Sequence, residues 1–200
     1  MRHLCRMFVM LGLLAGSSML FAQDNENTLR VKLVTSAGDI TLRLYPEKSP
    51  VTVENFLAYV DSGFYNGTIF HRVISNFMVQ GGGFTTAMTE KVSGEPIVNE
   101  SRNKLHNIRG TVAMARTSDP DSATAQFFIN QRSNLQLDWA PGKEGYTVFG
   151  EVVKGMGVVD FIATAETDTG LMTTSAGQRP FQDVPVEAIV IKEIVRVRGK

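Results

Sequence analysis

The chain has 200 residues, of which 43% are apolar and 20% are charged, and its 20 Lys and Arg residues balance its 20 Asp and Glu residues. This composition is typical of a globular protein, and the length suits one domain with a substantial core. The balanced charge excludes the basic excess that nucleic acids and anionic membranes attract. A single cysteine, Cys5, excludes an internal disulfide framework.

The first 22 residues are predicted to be a secretory signal peptide. Two arginines precede the apolar run Met7–Leu14, and small residues follow up to Ala22, where cleavage is expected. An uncleaved anchor is the alternative, but this run is well short of the ~20 residues that span a bilayer. Residues 23–28 are then a short polar tail, and residues 29–200 form the folded domain.

Cleavage would change the charge and the reactive groups of the protein. It removes two arginines and no acidic residue, so that 18 basic residues face 20 acidic ones and the formal net charge becomes −2. It also removes Cys5, and with it every thiol. The remaining histidines, His71 and His106, lie in different contexts without metal-ligand spacing. No metal and no other cofactor is therefore expected.

The domain is predicted to begin with a β-hairpin and a helix. Apolar residues alternate in Leu29–Val34 and in Asp39–Tyr45, as they do in a hairpin with one buried face. Ser49 is then a natural N-cap and Pro50 fits the first helical position, and the apolar spacing continues until Gly63 ends the helix. Such an amphipathic helix needs a sheet to cover its apolar face, and the end of a barrel supplies one.

A second hairpin is predicted at the centre of the chain. Its β-like runs, Thr68–Ile74 and Phe77–Gln80, are joined by a polar pair. On the first run, strict alternation places Phe70 and Arg72 on one face and His71 on the other. Taken alone, a guanidinium on a strand is more often a solvated side chain than part of a site.

The second run of this hairpin also alternates. Met78 and Gln80 fall on one face and Val79 on the other. Three glycines follow at 81–83, but neither a helix start nor a nucleotide-binding motif accompanies them. We therefore interpret them as permissive backbone where the sheet bends.

The second half of the domain is predicted to consist of short strands and long polar loops. Loops are expected at 85–107, 116–125 and 131–145, and the first of them is expected to be ordered. Many strands and only two helices favour a closed antiparallel barrel, with the last strand pairing with the first. The predicted elements are strands at Thr111–Ala115, Phe127–Asn130 and Tyr146–Val153, a helix at Gly157–Ala163, and a final strand within Pro185–Arg198.

Two blocks of the sequence resemble the cyclophilin family of peptidyl-prolyl cis/trans isomerases. One reads F-H-R-V-I-x-x-F-M-V-Q-G-G from Phe70, and the other reads G-T-V-A-M-A-R-T-S-D-P-D-S-A-T-A-Q-F-F-I-N from Gly110 to Asn130. The likeness extends from about Leu29 to the C-terminus, and it is greatest to the bacterial secreted branch. It implies an all-β dominated fold, a closed eight-stranded antiparallel barrel capped by two α-helices.

The resemblance also implies a function. The protein is expected to accelerate rotation about Xaa-Pro peptide bonds in the periplasm and to assist the folding of exported proteins. Its expected partners are proline-containing segments of unfolded or exported proteins, without nucleic acid, metal or cofactor. Nothing in the sequence suggests more than a monomer.

The same resemblance assigns roles to individual residues. Arg72 is expected to be the catalytic residue, because its guanidinium is always charged and can donate a hydrogen bond to the prolyl nitrogen. His71 is expected to be structural, because the reaction requires no proton transfer. The implied substrate-binding residues are Phe77, Met78, Gln80, Ala115, Arg116, Thr117, Gln126, Phe128, Leu137 and Tyr146.

These substrate-binding residues fall into three groups. The apolar side chains form the pocket for the prolyl ring, although plain core packing is the alternative and is favoured for Phe77 by the sequence alone. The glutamines position the substrate backbone and brace Arg72. Residues 115–117 bind the residues before proline through their main chain, so that Arg116, where many members have Asn, alters the preference for flanking residues more than catalysis.

Two other classes of function fit parts of the sequence. A non-catalytic proline-peptide-binding module or chaperone would use the same groove, and a replacement of Arg72 would have favoured it. A hydrolase would need Ser118 or Ser122 together with His71 and an aspartate. However, the chain has no Gly-x-Ser-x-Gly motif, and serines in Ser-Asp-Pro-Asp-Ser are typical of turns.

One departure from the family concerns the drug cyclosporin. Many eukaryotic cyclophilins bind it with a tryptophan on the loop after the Q-F-F-I strand. Counted without gaps from Ile129, that position is Gln136 in this chain, so weak cyclosporin binding is expected. Trp139, three residues further on, is the alternative source of an indole ring.

Overall fold

The computed structural model describes residues 29–197. The predicted signal peptide at 1–22 and polar tail at 23–28 lie outside the described residues. In the part of the chain that is described, no helix is long and apolar enough to cross a membrane. The same part holds no group of three or more His, Cys, Asp or Glu side chains arranged to bind a metal ion.

Eight antiparallel strands close into a barrel, and two further strands form a separate sheet. In chain order the elements are β1 (Arg30–Thr35), β2 (Gly38–Leu44), α1 (Pro50–Asp61), β3 (Thr68–Ile74), β4 (Met78–Thr85), β5 (Thr111–Met114), β6 (Phe127–Asn130), a 3₁₀ helix (Leu135–Leu137), β7 (Val148–Lys154), α2 (Met156–Ile162), β8 (Thr167–Thr174), β9 (Gly177–Pro185) and β10 (Val190–Val197). Around the barrel the strand order is β1-β10-β3-β4-β6-β5-β7-β2. The predicted eight-stranded barrel with two helices is therefore confirmed.

The barrel interior is filled by apolar side chains that face inward from neighbouring strands. Val73, Val79, Ile129 and Val112 are successive partners across β3, β4, β6 and β5, and all four are buried. Phe56 of α1 packs into the same core, as do buried residues of α2. Each fully buried side chain of this size contributes roughly 1.5–3 kcal/mol. The amphipathic face predicted for α1 is thus buried against the barrel.

A carboxylate from a distant loop caps the N-terminus of α1. The helix begins at Pro50 as predicted, but the hydroxyl of Ser49 makes no cap hydrogen bond and donates to the Val148 carbonyl at 2.8 Å. Ser49 therefore occupies the predicted N-cap position, but its side chain does not bind the N–H groups of the first turn. Instead, Glu100 accepts a hydrogen bond of 2.9 Å from the Thr52 N–H. A carboxylate at this end of a helix also interacts favourably with the helix dipole.

A β-bulge at His71 breaks the alternation predicted for β3. Between the pair made by Phe70 and the pair made by Arg72, β3 advances by two residues while β4 advances by one. Phe70 and Val73 consequently both belong to the barrel core, whereas Arg72 lies at an outer pocket. The prediction that Phe70 and Arg72 share a face is wrong for this reason. Bulges often lie beside functional sites, where they redirect a side chain.

Strand β4 continues through the three glycines and is longer than predicted. The predicted end was Gln80, but the strand extends to Thr85. Gly82 has a φ of +86°, and a Cβ atom there would come within 2.9 Å of ring atoms of Phe127 and Tyr65. Glycine therefore permits both the local backbone conformation and the close approach of two aromatic rings.

The sheet of β8 and β9 is absent from the sequence predictions, which assign no element to residues 164–184. Met172 and Val184 of this hairpin are buried against Ile69 and Phe84. These four side chains form a small apolar cluster separate from the barrel core. The hairpin is thus packed against β3 and β4 on the outside of the barrel.

Candidate active site

Side chains from five strands form a row across the outer face of the barrel. Arg72 on β3 is the partner of Gln80 on β4, which is the partner of Phe128 on β6. Phe128 pairs in turn with Ala113 on β5, and Ala113 with Val148 on β7. Residues directly opposite each other on paired strands face the same side of the sheet. The register therefore brings a guanidinium, an amide and an aromatic ring side by side.

This outer face contains a pocket of about 110 Å³. Because typical small-molecule sites measure ~300–1,000 Å³, a pocket of this size suits a single small ring. Every lining residue belongs to the catalytic and substrate-binding set that the sequence predicts. The pocket is lined by Arg72, Phe77, Met78, Gln80, Ala115, Arg116, Phe128, Leu137 and Tyr146.

The floor of the pocket is apolar. Met78 and Phe128 are buried in an outer cluster, against which Phe77 and Leu137 pack. Phe77 is half-buried at the pocket wall. It does not belong to the barrel core, although the sequence alone favours core packing for this residue. Aromatic and thioether side chains of this kind offer a close-fitting surface to an apolar ring.

A hydrogen bond joins the two glutamines beside the pocket. Gln80 Nε2 donates to Gln126 Oε1 at 3.0 Å. Gln126 immediately precedes β6, and its backbone carbonyl accepts a hydrogen bond of 2.9 Å from the Ala115 N–H. Gln126, one of the predicted substrate-binding residues, does not line the pocket. It orients the amide of Gln80, which is the cross-strand partner of Arg72.

The side chain of Arg116 forms part of the rim. Its guanidinium lies 4.5 Å from the ring centroid of Tyr146, and it donates to the Glu144 carbonyl at 2.8 Å. Tyr146 in turn contacts Phe128 edge to face, with ring centroids 5.6 Å apart. The family resemblance implies only main-chain contacts from Arg116, whereas its side chain also lies at the pocket.

A buried network of asparagines holds the loop that carries Leu137. Asn134 Nδ2 donates to the Phe77 carbonyl at 2.9 Å and to Asn130 Oδ1 at 2.8 Å. Asn130 Nδ2 donates to Asn107 Oδ1 at 3.2 Å, and all three asparagines are buried. Buried amides are costly unless they are paired, so this network fixes the loop to the turn before β4 and to β6. No periodic signal in the sequence indicates it.

Asp138 anchors the same loop from its other end. Its carboxylate accepts hydrogen bonds from the Asn107 N–H at 2.7 Å and from His106 Nδ1 at 2.8 Å. Partial burial raises the pKa of Asp138, but hydrogen bonds from Asn107 and His106 lower that pKa by more, so the carboxyl titrates below its usual range. The anchor is therefore charged at neutral pH.

Gln136 and Trp139 lie on this loop without lining the pocket. Gln136 is exposed on the 3₁₀ helix, and its carbonyl accepts a hydrogen bond from Lys143 Nζ. Trp139 is 38% exposed and stacks 5.4 Å from the guanidinium of Arg102, beside a different cavity.

His71 is buried next to Arg72, with 1% of its surface exposed. Burial lowers the pKa of its imidazole to about 4, and the charge of Arg72 acts in the same direction. Its ring packs 4.7 Å from that of Phe84. A neutral imidazole with this degree of burial suits a structural group more than a catalyst of proton transfer.

Thr117 lies outside the pocket, in a loop held by its own polar contacts. Its N–H donates to Ser122 Oγ at 2.9 Å, and Ser122 Oγ donates to the Asp119 carbonyl at 2.7 Å. These are turn contacts, and among the described residues none joins Ser122 to the buried His71. The arrangement gives no support to the hydrolase alternative.

Arg72 forms an ion pair that the sequence analysis misses. Its Nε lies 3.6 Å from Asp183 Oδ2, and the two side chains are 41% and 37% exposed. Asp183 belongs to β9, in the segment without a predicted element. The turn residues Ser-Ala-Gly at 175–177 are a signal for a hairpin, but no local pattern pairs Asp183 with Arg72.

A closed eight-stranded barrel whose outer face carries a ring-sized pocket beside a guanidinium is the architecture of the cyclophilin class. The model of the family described as "Cyclophilin type peptidyl-prolyl cis-trans isomerase/CLD" matches residues 30–195. The chain belongs to this family of isomerases.

Relatives of known name agree with this assignment. The peptidyl-prolyl cis-trans isomerase A of Dickeya dadantii is 54% identical over 162 residues, which cover 81% of each chain. A peptidyl-prolyl cis-trans isomerase of Acinetobacter baylyi is 50% identical over 172 residues, covering 86% of this chain and 91% of the relative. A Cryptosporidium parvum cyclophilin-type isomerase, crystallised in the presence of the dipeptide Ala-Pro, superposes with a TM-score of 0.66 at 28% identity, covering 83% and 97% of the two chains.

Proposed function

We propose that this isomerase holds a prolyl ring in the pocket over Met78 and Phe128 while Arg72 donates a hydrogen bond to the prolyl nitrogen. The observation that carries this mechanism is the cross-strand register, which sets Arg72 and Gln80 beside the buried ring of Phe128. The crystallisation of the Cryptosporidium isomerase in the presence of the dipeptide Ala-Pro supports a proline-containing peptide as the ligand.

The chemistry follows from the nature of the Xaa-Pro bond. Amide resonance makes its rotation slow, with a barrier of ~18–20 kcal/mol. As the bond twists, the lone pair of the prolyl nitrogen leaves conjugation and becomes a hydrogen-bond acceptor. A donor at that nitrogen therefore binds the transition state more strongly than the substrate. The guanidinium of Arg72 presents such donors in a fixed plane.

The contacts of the pocket can supply the reduction of the rotational barrier that such catalysis requires. Acceleration from ~0.01 s⁻¹ to ~10³ s⁻¹ requires the barrier to fall by about 7 kcal/mol. One charge-assisted hydrogen bond strengthened in the transition state supplies ~2–3 kcal/mol of this. Desolvation of the ring and orientation of the flanking backbone by Gln80 and residues 115–117 supply the remainder.

A protease-coupled assay of Xaa-Pro isomerisation tests this mechanism. Arg72→Ala is expected to lower kcat/KM by ~10²-fold, the equivalent of ~2–3 kcal/mol, and to leave the fold intact. Arg196→Ala is a matched control, because Arg196 is also a half-exposed arginine in an ion pair, with Asp61, and does not line the pocket. Wild-type activity in Arg72→Ala would refute the mechanism. Peptide binding without any acceleration by the wild type would favour the non-catalytic module.

We also propose that the protein acts as a monomer in the periplasm, on proline-containing segments of exported proteins. The support is the charged start, the apolar run and Ala22, which together have the form of a cleavable signal peptide. The mass of the intact protein from the exported fraction tests the location, and the expected N-terminus is at or near Gln23. A mass that still contains Met1–Ala22 would indicate an anchored form instead.

A further inference from the structure

We propose that Asp183 is a positioning residue for Arg72, and that its carboxylate holds the guanidinium in the orientation that catalysis requires. This inference rests on the proposed role of Arg72 as the donor to the prolyl nitrogen. Asp183 is assigned no contact with the substrate, and it acts through the arginine alone.

The contact involves one edge of the guanidinium. Asp183 Oδ2 lies 3.6 Å from Nε, which is an ion-pair distance rather than a direct hydrogen bond. Nε carries one of the five N–H donors of an arginine, so that the donors of the two terminal nitrogens remain for the substrate. Because both side chains are partly exposed, the pair contributes little to the stability of the fold. Its main consequence is therefore the direction in which the guanidinium points.

The hairpin that carries Asp183 is firmly attached to the barrel. Phe181, two residues before it, contacts Phe84 with ring centroids 5.4 Å apart. Val184, the next residue, is buried in the same cluster. On the other strand, the Thr173 N–H donates a hydrogen bond of 2.8 Å to a backbone carbonyl of the loop after β4. A side chain between two such anchors has a well-defined position.

The local backbone directs Asp183 towards Arg72. Between the pairs Asp168–Val184 and Gly170–Phe181, β8 advances by two residues and β9 by three, so β9 contains a bulge. Within it, Asp183 has a φ of 63°, in the left-handed region that aspartate and asparagine tolerate better than most residues. The ion pair thus joins two bulges, one in β9 and the other at His71 in β3, and bulges redirect side chains beside functional sites.

The glutamines do not duplicate this contact. The hydrogen bond of Gln80 goes to Gln126, at 3.0 Å. Among the described residues, Asp183 is the carboxylate at ion-pair distance from Arg72. The family resemblance implies that the glutamines brace Arg72. Instead, Arg72 is held by Asp183, an acidic residue of the outer hairpin.

Asp183→Asn is the variant that isolates this role. Asparagine has nearly the same shape and tolerates a positive φ, so the bulge is retained while the charge is lost. Asp168→Asn is the matched control, because it removes one negative charge from the same hairpin and its carboxylate contacts the neighbouring Thr169 N–H. Both variants are compared with the wild type by kcat and KM in the isomerase assay and by their melting temperatures.

Asp183→Asn is expected to lower kcat about tenfold with little change in KM, because misorientation of a catalytic group weakens the transition state more than substrate binding. The Nε–H resonance of Arg72 in a ¹H–¹⁵N spectrum, assigned by its loss in Arg72→Lys, is expected to shift in Asp183→Asn and to stay in place in Asp168→Asn. In an Arg72→Ala background, Asp183→Asn should change kcat no further.

The outcomes separate this inference from the proposed mechanism. A kcat for Asp183→Asn equal to that of Asp168→Asn, while Arg72→Ala shows its expected loss, overturns the positioning role alone. An equal loss of kcat from Asp183→Asn with and without Arg72 overturns it as well, since the effect would then not pass through the arginine. Wild-type activity in Arg72→Ala overturns both.

Discussion

Gly83 lies directly beneath the side chain of Gln126. A Cβ atom at position 83 would come within 2.5 Å of Gln126 Cγ and within 2.7 Å of its Nε2. Gln126 holds Gln80 by a hydrogen bond of 3.0 Å, and Gln80 is the cross-strand partner of Arg72. The lack of a side chain at Gly83 therefore leaves room for Gln126 to hold an amide that lines the pocket.

Gly83→Ala is therefore expected to impair both catalysis and stability. The new methyl group displaces Gln126 and breaks its bond to Gln80, which should lower kcat/KM about tenfold. The free energy of unfolding should fall by about 1–3 kcal/mol, the usual cost of overpacking. The isomerase assay and urea denaturation measure the two effects.

Two further variants sharpen this experiment. Gly157→Ala is the control, because Gly157 lies in α2 with no atom within 4 Å of an added Cβ, and it should leave activity unchanged. The double variant Gln126→Ala/Gly83→Ala should be no less active than Gln126→Ala, because the displaced side chain is then absent. Additive losses would show that Gly83 acts in another way.

Arg72→Lys is expected to lose most of the activity although it keeps the positive charge. An ammonium group on a flexible stem cannot reproduce a planar fork that is held at one edge by Asp183. Most of the ~10²-fold loss predicted for Arg72→Ala should therefore remain, as measured by kcat/KM. If lysine retained more than half of the wild-type rate, charge alone would suffice.

Local periodicity predicts the parts of this fold that depend on residues close in sequence. The alternation of Met78, Val79 and Gln80 correctly assigns two of them to the outer face and one to the core. The same rule fails on β3, because the bulge at His71 arises from pairing with another strand and has no local signal. Strand periodicity reports burial only where the ladder is regular.

Contacts between distant segments account for what the sequence analysis misses. Glu100 caps α1 from a loop that is remote in sequence, and the amide of Asn134 donates to the carbonyl of Phe77, which is also remote in sequence. The pairing of Asp183 with Arg72 is of the same kind. The pocket residues were placed by resemblance to a family, whereas these supporting contacts belong to tertiary structure that no short motif encodes.

His71 is expected to make the fold sensitive to mild acid. Its folded pKa is about 4, mainly because of burial, against about 6.5 in the unfolded chain. As the pH falls from about 6.5 to 4, the unfolded chain binds a proton that the folded protein does not, so stability is lost over this window. The difference of about 2.5 between these two pKa values corresponds to about 3 kcal/mol in the free energy of unfolding.

Urea denaturation of the wild type and His71→Gln at pH 7 and pH 4 measures this effect. The variant should be less stable at pH 7, because it loses the packing of the imidazole against Phe84, but its stability should depend less on pH. Carboxyls whose pKa values are lowered, such as Asp138, affect both proteins and cancel in the difference. Equal losses in the two proteins would mean that His71 is protonated, or hydrated, in the folded state.

Because Gln136 stands where many eukaryotic cyclophilins have a tryptophan, we predict that cyclosporin binds weakly and that one substitution improves binding. Gln136 precedes Leu137 of the pocket wall, so an indole there would extend the apolar surface outward from the pocket. Half of the ~150–250 Å² that an indole buries is worth about 2–3 kcal/mol, or roughly 30- to 150-fold in affinity. Gln136→Trp should therefore tighten the binding of the drug at least about tenfold, while kcat/KM changes little because the prolyl ring does not reach that far.

Trp139→Phe is the control and should leave the affinity for the drug unchanged, since Trp139 stacks on Arg102 beside a separate cavity. Titration of the drug against the three proteins decides the matter: tight binding by the wild type that is lost in Trp139→Phe would mean that Trp139 moves to the groove and supplies the indole.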